Sequence, residues 1–314
     1  MRSYRLIAPA KINLYLEIIG MRTDSYHELV MILQSIDLAD LIEIRPSVTD
    51  AIKVYCEHPE VPCTPDNLAY KAASLMQRQF PKIAANYGGV NIFIEKHIPV
   101  AAGLAGGSAN AAAVLVGINM IWELGLTQPE LREIAATLGS DVPFCIGGGT
   151  AIATGRGEKL DPIPDLTTLA VVLAKYRSLS VSTPWAYGAY REEFGVSYPT
   201  DAQSFLKRSQ SVHSGPLVQA IVSRDGPQIG KLLHNDLEKV VCPEYPQVSH
   251  LRQTMASLGG LGTMMSGSGP TVFTLCASLE EAQSLKTQLI NEIANPELDV
   301  WTAKLSSSGI HLAQ

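Results

Sequence analysis

Three glycines within five residues, Gly103, Gly106 and Gly107, run into Ser108 and then an alanine-rich apolar stretch, and this junction constrains the chain more than any other. Before it, Val90-Asn-Ile-Phe-Ile-Glu95 is β-branched and aromatic, which predicts a strand. After it, residues 109–124 are rich in Ala, Leu, Val, Ile and Met, which predicts a buried helix. Glycines without a Cβ let a bulky anion approach the backbone. Free N–H groups and the helix dipole then favour a phosphate there, with Ser108 as the expected N-cap. The loop is not of the Walker A type, because Ser108 and Ala109 stand where Lys and Ser or Thr are needed. Nor is it a dinucleotide fingerprint, because Gly103-Leu-Ala-Gly106 breaks the G-x-G-x-x-G spacing. Taken alone, it could also be a tight turn without a ligand, though the phosphate reading is favoured.

The bulk properties narrow the partners. The 109–124 run contains Asn110, Asn119 and Glu123, so it is a core helix and no membrane span. A net charge of −6 with no dense Lys/Arg block argues against nucleic acid or an anionic membrane as partner. Five cysteines, with no C-x-x-C pair, fit reduced thiols rather than a disulfide framework. The seven scattered histidines suggest no metal cluster. The opening Met1-Arg-Ser-Tyr-Arg-Leu has no apolar signal region, so a cytoplasmic location is expected.

In chain order, residues 3–8 and 11–19 predict two strands broken at Pro9, the second alternating so that Lys11 and Asn13 share one sheet face. By itself that face would be an ordinary solvated one. Tyr26 and His27 lead into an apolar run to Leu38. They suit stacking on and hydrogen-bonding a planar base, or equally a half-buried strand edge. Strands are expected at 41–45 and 51–55, and a helix at 67–80 capped by Asp66 or Asn67. A further helix begins at Thr127 with Pro129 in its first turn. Asp141 follows in the turn Gly139-Ser-Asp-Val-Pro, as a proton acceptor or as a cap. Strand 150–154 and the turn Gly155-Arg-Gly157 precede Asp161-Pro-Ile-Pro-Asp165, the best boundary between two lobes, 1–164 and 165–314. Strand 169–174 comes next, then a helix with Thr183 as N-cap and Pro184 at N1, and a polar loop or irregular insert over 195–215. The segment His234-Asn-Asp-Leu-Glu238 reads as structural capping. The order helix 246–258, strand 263–265, a Ser266-Gly-Ser-Gly269 loop, strand 271–276, helix 279–294 and strand 298–304 is like a ferredoxin split unit. The whole is α+β with a mostly antiparallel sheet.

A lysine on a strand face, a Gly/Ser loop at a helix start and an aspartate in a glycine-flanked turn suit phosphoryl transfer. The loop holds the donor phosphates, Asp141 takes the acceptor proton, Lys11 offsets charge, and Mg²⁺ bridges donor oxygens. The metal's protein ligands are left open.

Here the chain resembles a known family. Pro-Ala-Lys11-Ile-Asn13-Leu, Pro99-x-x-Ala-Gly103-Leu-x-Gly-Gly-Ser108-x-Asn-Ala-Ala and Ser266-Gly-Ser-Gly-Pro270 are similar to the three motifs of the galactokinase, homoserine kinase, mevalonate kinase and phosphomevalonate kinase (GHMP) superfamily. Gly20-x-Arg-x-Asp24-x-Tyr26-His27, Gly139-Ser-Asp141-Val-Pro-Phe144 and Thr183-Pro184 resemble the branch whose acceptor is 4-diphosphocytidyl-2-C-methyl-D-erythritol, a cytidyl diphosphate sugar alcohol. The resemblance implies an ATP-dependent kinase with a two-lobed GHMP-kinase architecture. The N-terminal lobe would be ribosomal S5 domain 2-like, the C-terminal lobe ferredoxin-like, and the site would lie between them. It implies that Lys11 and Asp141 are the catalytic pair and that Asn13 lies near the methylerythritol part. His27 would bond the cytosine edge, Tyr26 and Tyr187 would sandwich the base, and Thr183 would lie near the lysine. The triphosphate loop would be Pro99, Val100, Ala101, Ala102, Gly103 and Leu104, continuing through Ala105, Gly106, Gly107, Ser108 and Ala109. Ala101 and Ala105 stand where the family form has glycine, and a positive φ at either would strain it. The rival readings are a sibling kinase acting on homoserine or a mevalonate-like acceptor, and a silent ligand-binding regulator on the same fold.

Overall fold

The computed structural model describes residues 2–199 and 201–313. Met1, Thr200 and Gln314, at the ends of the expected lobes and inside the expected 195–215 loop, lie outside the described residues. Pro9 does not break the first strand. Residues 4–21 form one strand, β1 (Tyr4–Met21), antiparallel to β2 (His27–Pro46). The register shifts between Pro9 and Lys11, and this bulge accommodates the proline's missing donor. The strand expected at 41–45 is the far end of β2, whose apolar run continues unbroken from Leu29.

After β3 (Lys53–Cys56), α1 (Leu68–Gln79) starts at Asn67, whose Oδ1 accepts from the Ala69 N–H at 2.8 Å. Helix α2 (Pro81–Tyr87) leads to β4 (Val90–Glu95), and the glycine loop then opens α3 (Gly106–Ile121). The N-cap of α3 is Ala105 in the left-handed region, so the expected capping role of Ser108 is not realised; Ser108 lies within the first turn. Ten α3 residues are buried, as an apolar helix covered on all sides requires. A Thr127–Glu130 capping box starts α4 (Gln128–Ala136), and α5 (Val142–Gly147) follows directly after Asp141.

Strands β5 (Thr150–Gly155) and β6 (Lys159–Ile163) form a hairpin. The expected boundary segment is thus partly strand, and Pro162 is tolerated because β6 pairs only with β5. Beyond it lie β7 (Ala170–Tyr176), α6 (Thr183–Phe194) and α7 (Ala202–His213). Helix α7 occupies the span read as loop: Asp201 caps it by accepting from the Ser204 N–H at 2.8 Å, and Val212 is buried. The remaining elements are α8 (Pro216–Val222), α9 (Gly226–Lys231), β8 (His234–Asn235), α10 (Glu238–Glu244), α11 (Pro246–Ser257), β9 (Gly262–Met265), β10 (Val272–Cys276), α12 (Leu279–Ile293), β11 (Leu298–Ser306) and β12 (His311–Leu312).

The sheet is α+β and mostly antiparallel, running β12-β1-β2-β11-β7-β10-β9. Strand β2 organises it: residues 29–34 pair with β5, 35–36 with β11 and 41–46 with β4. The C-terminal ferredoxin-like strands therefore join the N-terminal ones edge to edge. One apolar cluster also crosses between them, packing Leu16, Leu33 and Phe144 in with Val172, Leu251 and Val300.

Candidate active site

The β1 face carrying Lys11 and Asn13 is buried, not solvated: Lys11 is 4% exposed and Asn13 0%. A buried ammonium needs partners. Lys11 Nζ donates to Asn13 Oδ1 at 2.7 Å and lies 3.8 Å from Asp141 Oδ2. Asp141 stands at the N-cap position of α5, yet its carboxylate accepts no capping bond. It is left free to face the cavity, with its side chain 31% exposed.

Two glycine loops close on this pair. The Lys11 N–H donates to the Leu104 carbonyl at 3.1 Å, tying the first loop to β1. Gly103 has φ +74°, and a Cβ there would stand 2.2 Å from the Ser266 carbonyl oxygen, so only glycine allows the two loops to meet. Ser266 Oγ donates to the Gly103 carbonyl at 3.1 Å. On the far side Asn235 Nδ2 donates to the Met265 and Gly267 carbonyls at 2.9 and 2.8 Å. The 234–238 segment is thus structural, as read. A Cβ on Gly267 would stand 3.3 Å from Asn13 Oδ1 and 3.5 Å from Lys11 Nζ, so the second loop lies over the catalytic candidates. Ser182, not Thr183, caps α6, accepting from the Trp185 N–H at 3.3 Å. The Thr183 hydroxyl is thereby released to pair with Ser268 Oγ at 2.8 Å.

These groups surround one cavity of about 880 Å³. Of the expected phosphate loop, Pro99 to Gly103 and Ala105 to Ser108 line it, whereas Leu104 and Ala109 are buried in the core beneath. Ala101 and Ala105 both have positive φ, +50° and +59°, the strained case anticipated from their side chains. At one end His27 lies against Tyr187, with ring centroids 5.2 Å apart, and Tyr26 stands exposed beside them. His27 Nε2 is buried with no hydrogen-bond partner among the described residues. Burial, then the nearby Arg191 charge, lowers the His27 pKa and keeps the ring neutral at pH 7. Burial, then the charge of Asp141, pushes the Tyr187 phenol up, so it stays protonated.

Several side chains here were not found from sequence. Asp40, 1% exposed, accepts from the His97 and Ile98 N–H groups at 2.8 and 2.9 Å, from Asn110 Nδ2 at 2.7 Å, and from Lys96 Nζ. Lys96 reaches the cavity wall beside Gly106. The only sequence signal was a lone acid inside the apolar run Leu38-Ala-Asp-Leu41. Arg156, hidden in an expected turn, and Arg191, on an expected helix, carried none.

A family model described as the GHMP kinases N terminal domain matches residues 67–149, and one described as GHMP kinases C terminal matches residues 217–296. Curated relatives named 4-diphosphocytidyl-2-C-methyl-D-erythritol kinase include one from Gloeothece citriformis, 63% identical with 99% of each chain covered. Another, from Trichodesmium erythraeum, is 59% identical with 100% of each covered. A solved structure of 4-(cytidine 5'-diphospho)-2C-methyl-D-erythritol kinase superposes with a TM-score of 0.72 at 31% identity, covering 96% of this chain and 99% of that one. A homoserine kinase from Cytophaga hutchinsonii reaches a TM-score of 0.75 at 19% identity, covering 100% and 98%, a likeness of fold alone.

Proposed function

The chain belongs to the 4-diphosphocytidyl-2-C-methyl-D-erythritol kinase family of GHMP kinases, and from that premise we propose that it transfers the terminal phosphoryl group of ATP to the 2-hydroxyl of 4-diphosphocytidyl-2-C-methyl-D-erythritol, in the non-mevalonate route to isoprenoid precursors. The observation that carries the reading is the single cavity that joins the glycine loop, the Lys11–Asp141 pair and the His27–Tyr187 pocket.

In this reading residues 99–109 hold the triphosphate through backbone N–H groups. Tyr26 and Tyr187 sandwich the cytosine, and His27, neutral and with Nε2 unpaired, bonds its edge. Asn13 lies near the methylerythritol part, and Thr183 near the catalytic lysine. Asp141 accepts the proton as the hydroxyl oxygen bonds to the terminal phosphorus and the bond to the ADP oxygen breaks. Lys11, oriented by Asn13, offsets the charge gathering on the transferred group.

The donors present suit Mg²⁺, a hard ion usually held by one or two protein oxygens together with phosphates. The Ser108 hydroxyl and Asp141 carboxylate border the same cavity, and among the described residues no three His, Cys, Asp or Glu side chains form a metal cage. Mg²⁺ held there supplies charge neutralisation on the phosphate oxygens. We also propose two lobes, 1–164 and 165–314, and a cytoplasmic setting. No helix among the described residues is long and apolar enough to cross a membrane.

ADP release, measured with ATP, Mg²⁺ and alternative acceptors, tests the function. ADP should form with the cytidyl acceptor and not with homoserine or mevalonate, and Asp141→Asn should lower turnover roughly 10²–10⁴-fold while ATP still binds. Comparable turnover of the other acceptors would overturn the acceptor assignment, and unchanged turnover in Asp141→Asn would remove it as the base.

A further inference from the structure

Within His234-Asn-Asp-Leu-Glu238, Asn235 braces the second glycine loop, whereas Asp236 is a buried carboxylate that does not line the cavity. It is 3% exposed. Against burial, which raises a carboxyl's pKa, hydrogen bonds from His234, Lys239 and the Ile18 N–H hold it down at about 2, so it stays ionised. A buried charge is costly unless it is well bonded, and the bonds of this one lead to the base pocket from two directions.

Its two oxygens serve different elements. Oδ2 accepts from the Ile18 N–H at 2.9 Å, on β1. Ile18 pairs with Leu29 of β2, and three residues further on Met21 pairs with His27, so this bond secures the hairpin end that carries Tyr26 and His27. Oδ1 accepts from His234 Nε2 at 3.1 Å and from Lys239 Nζ at 2.7 Å. The Lys239 ammonium in turn lies over two rings of α6, 5.7 Å from the Tyr190 centroid and 5.4 Å from that of Phe194. Tyr190 is buried and follows Tyr187 by three residues, on the same helix face. The Tyr198 ring, 6.4 Å from Tyr190, stands at right angles to His27 with centroids 6.2 Å apart.

We propose that Asp236 is a positioning residue for the base pocket, fixing the hairpin that carries Tyr26 and His27 against the helix that carries Tyr187. The inference rests on the acceptor proposed above. A planar base held between rings and bonded at its edge needs both walls at one spacing. Ring contacts such as His27 on Tyr187 tolerate a range of spacings, whereas a charged hydrogen bond is short and directional. Asp236 is a charged group tied to both walls. The phosphate loop is anchored separately, by Asp40, so loss of Asp236 weakens the acceptor and spares ATP.

Steady-state ADP release, with KM measured for the cytidyl acceptor and for ATP in turn, tests this in wild type, Asp236→Asn, Lys239→Met and Lys239→Arg. Circular dichroism verifies that each variant is folded; Lys239 is half-exposed, so its variants keep the test open if Asp236→Asn does not fold. Asp236→Asn should raise the acceptor KM about tenfold, the size of one charge-assisted hydrogen bond, with the ATP KM within about twofold. Lys239→Met should raise the acceptor KM about threefold, and Lys239→Arg, which keeps the cation over the rings, should stay within about twofold of wild type. Equal rises in both KM values would mark a general structural role and overturn the positioning role, as would an unchanged acceptor KM in the folded variants. Wild type that releases ADP with homoserine or mevalonate in place of the cytidyl acceptor would overturn the acceptor assignment and the positioning role with it.

Discussion

Ala101 and Ala105 show how far a single side chain can set the character of a loop. Both hold φ angles, +50° and +59°, that glycine adopts freely and alanine resists, at a cost of roughly 1–2 kcal/mol per residue. Part of that cost is offset because alanine has less unfolded-state freedom to lose, about 0.4–1 kcal/mol. Ala101→Gly and Ala105→Gly should therefore each raise stability by about 0.5–1 kcal/mol, read as a higher urea midpoint at unchanged slope. A lower midpoint would mean that the loop in solution does not hold these angles. Lys11 makes the complementary point: a period-2 pattern puts it on a face with Asn13, but whether that face meets water depends on what covers it.

At the scale of elements, the phosphate loop is held from beneath. Asp40 on β2 binds the chain just after β4 through two backbone N–H groups and reaches Asn110 in the first turns of α3. Strand, loop and helix thus share one carboxylate, which also partners the Lys96 ammonium. Removing one member of a buried pair leaves the other charge uncompensated, typically at about 3–5 kcal/mol. Asp40→Ala should cost stability on that order in urea unfolding. A change below about 0.5 kcal/mol, ordinary for an exposed side chain, would show that the carboxylate does not anchor the loop.

At the scale of the molecule, the two lobes are not independent bodies. Ser35 and Ile36 of β2 pair with β11, β12 returns to β1, and Asp236 accepts from the Ile18 N–H at 2.9 Å. One apolar cluster draws on residues from both sides of 164/165. Residues 1–164 expressed alone would expose that cluster, and should show neither a near-ultraviolet circular dichroism signal nor a cooperative thermal transition. A sharp two-state transition in the fragment would show that the N-terminal lobe carries its own sufficient core.

Much of this was legible in the chain. The 109–124 apolar run, the Asp66 or Asn67 cap, the Thr127 helix start and the strand periods are local signals, set by contacts within a few residues, and each element stands close to where its pattern placed it. The resemblance also pointed to the glycine loop, Lys11 and, through Gly139-Ser-Asp141-Val-Pro-Phe144, Asp141, and the fold brings these to one cavity. Read locally, though, Pro9 looked like a break, 195–215 like a loop, and Ser108 and Thr183 like caps. Distant partners decided the first two, a bulge against β2 and a helix seated on the core, whereas at the caps the neighbouring Ala105 and Ser182 take the positions and the Thr183 hydroxyl turns to Ser268. Tertiary structure alone decided the burial of Lys11 and the support by Asp40 and Asn235. Burial and ion pairing depend on which distant segments come together, and residue order along the chain does not record that.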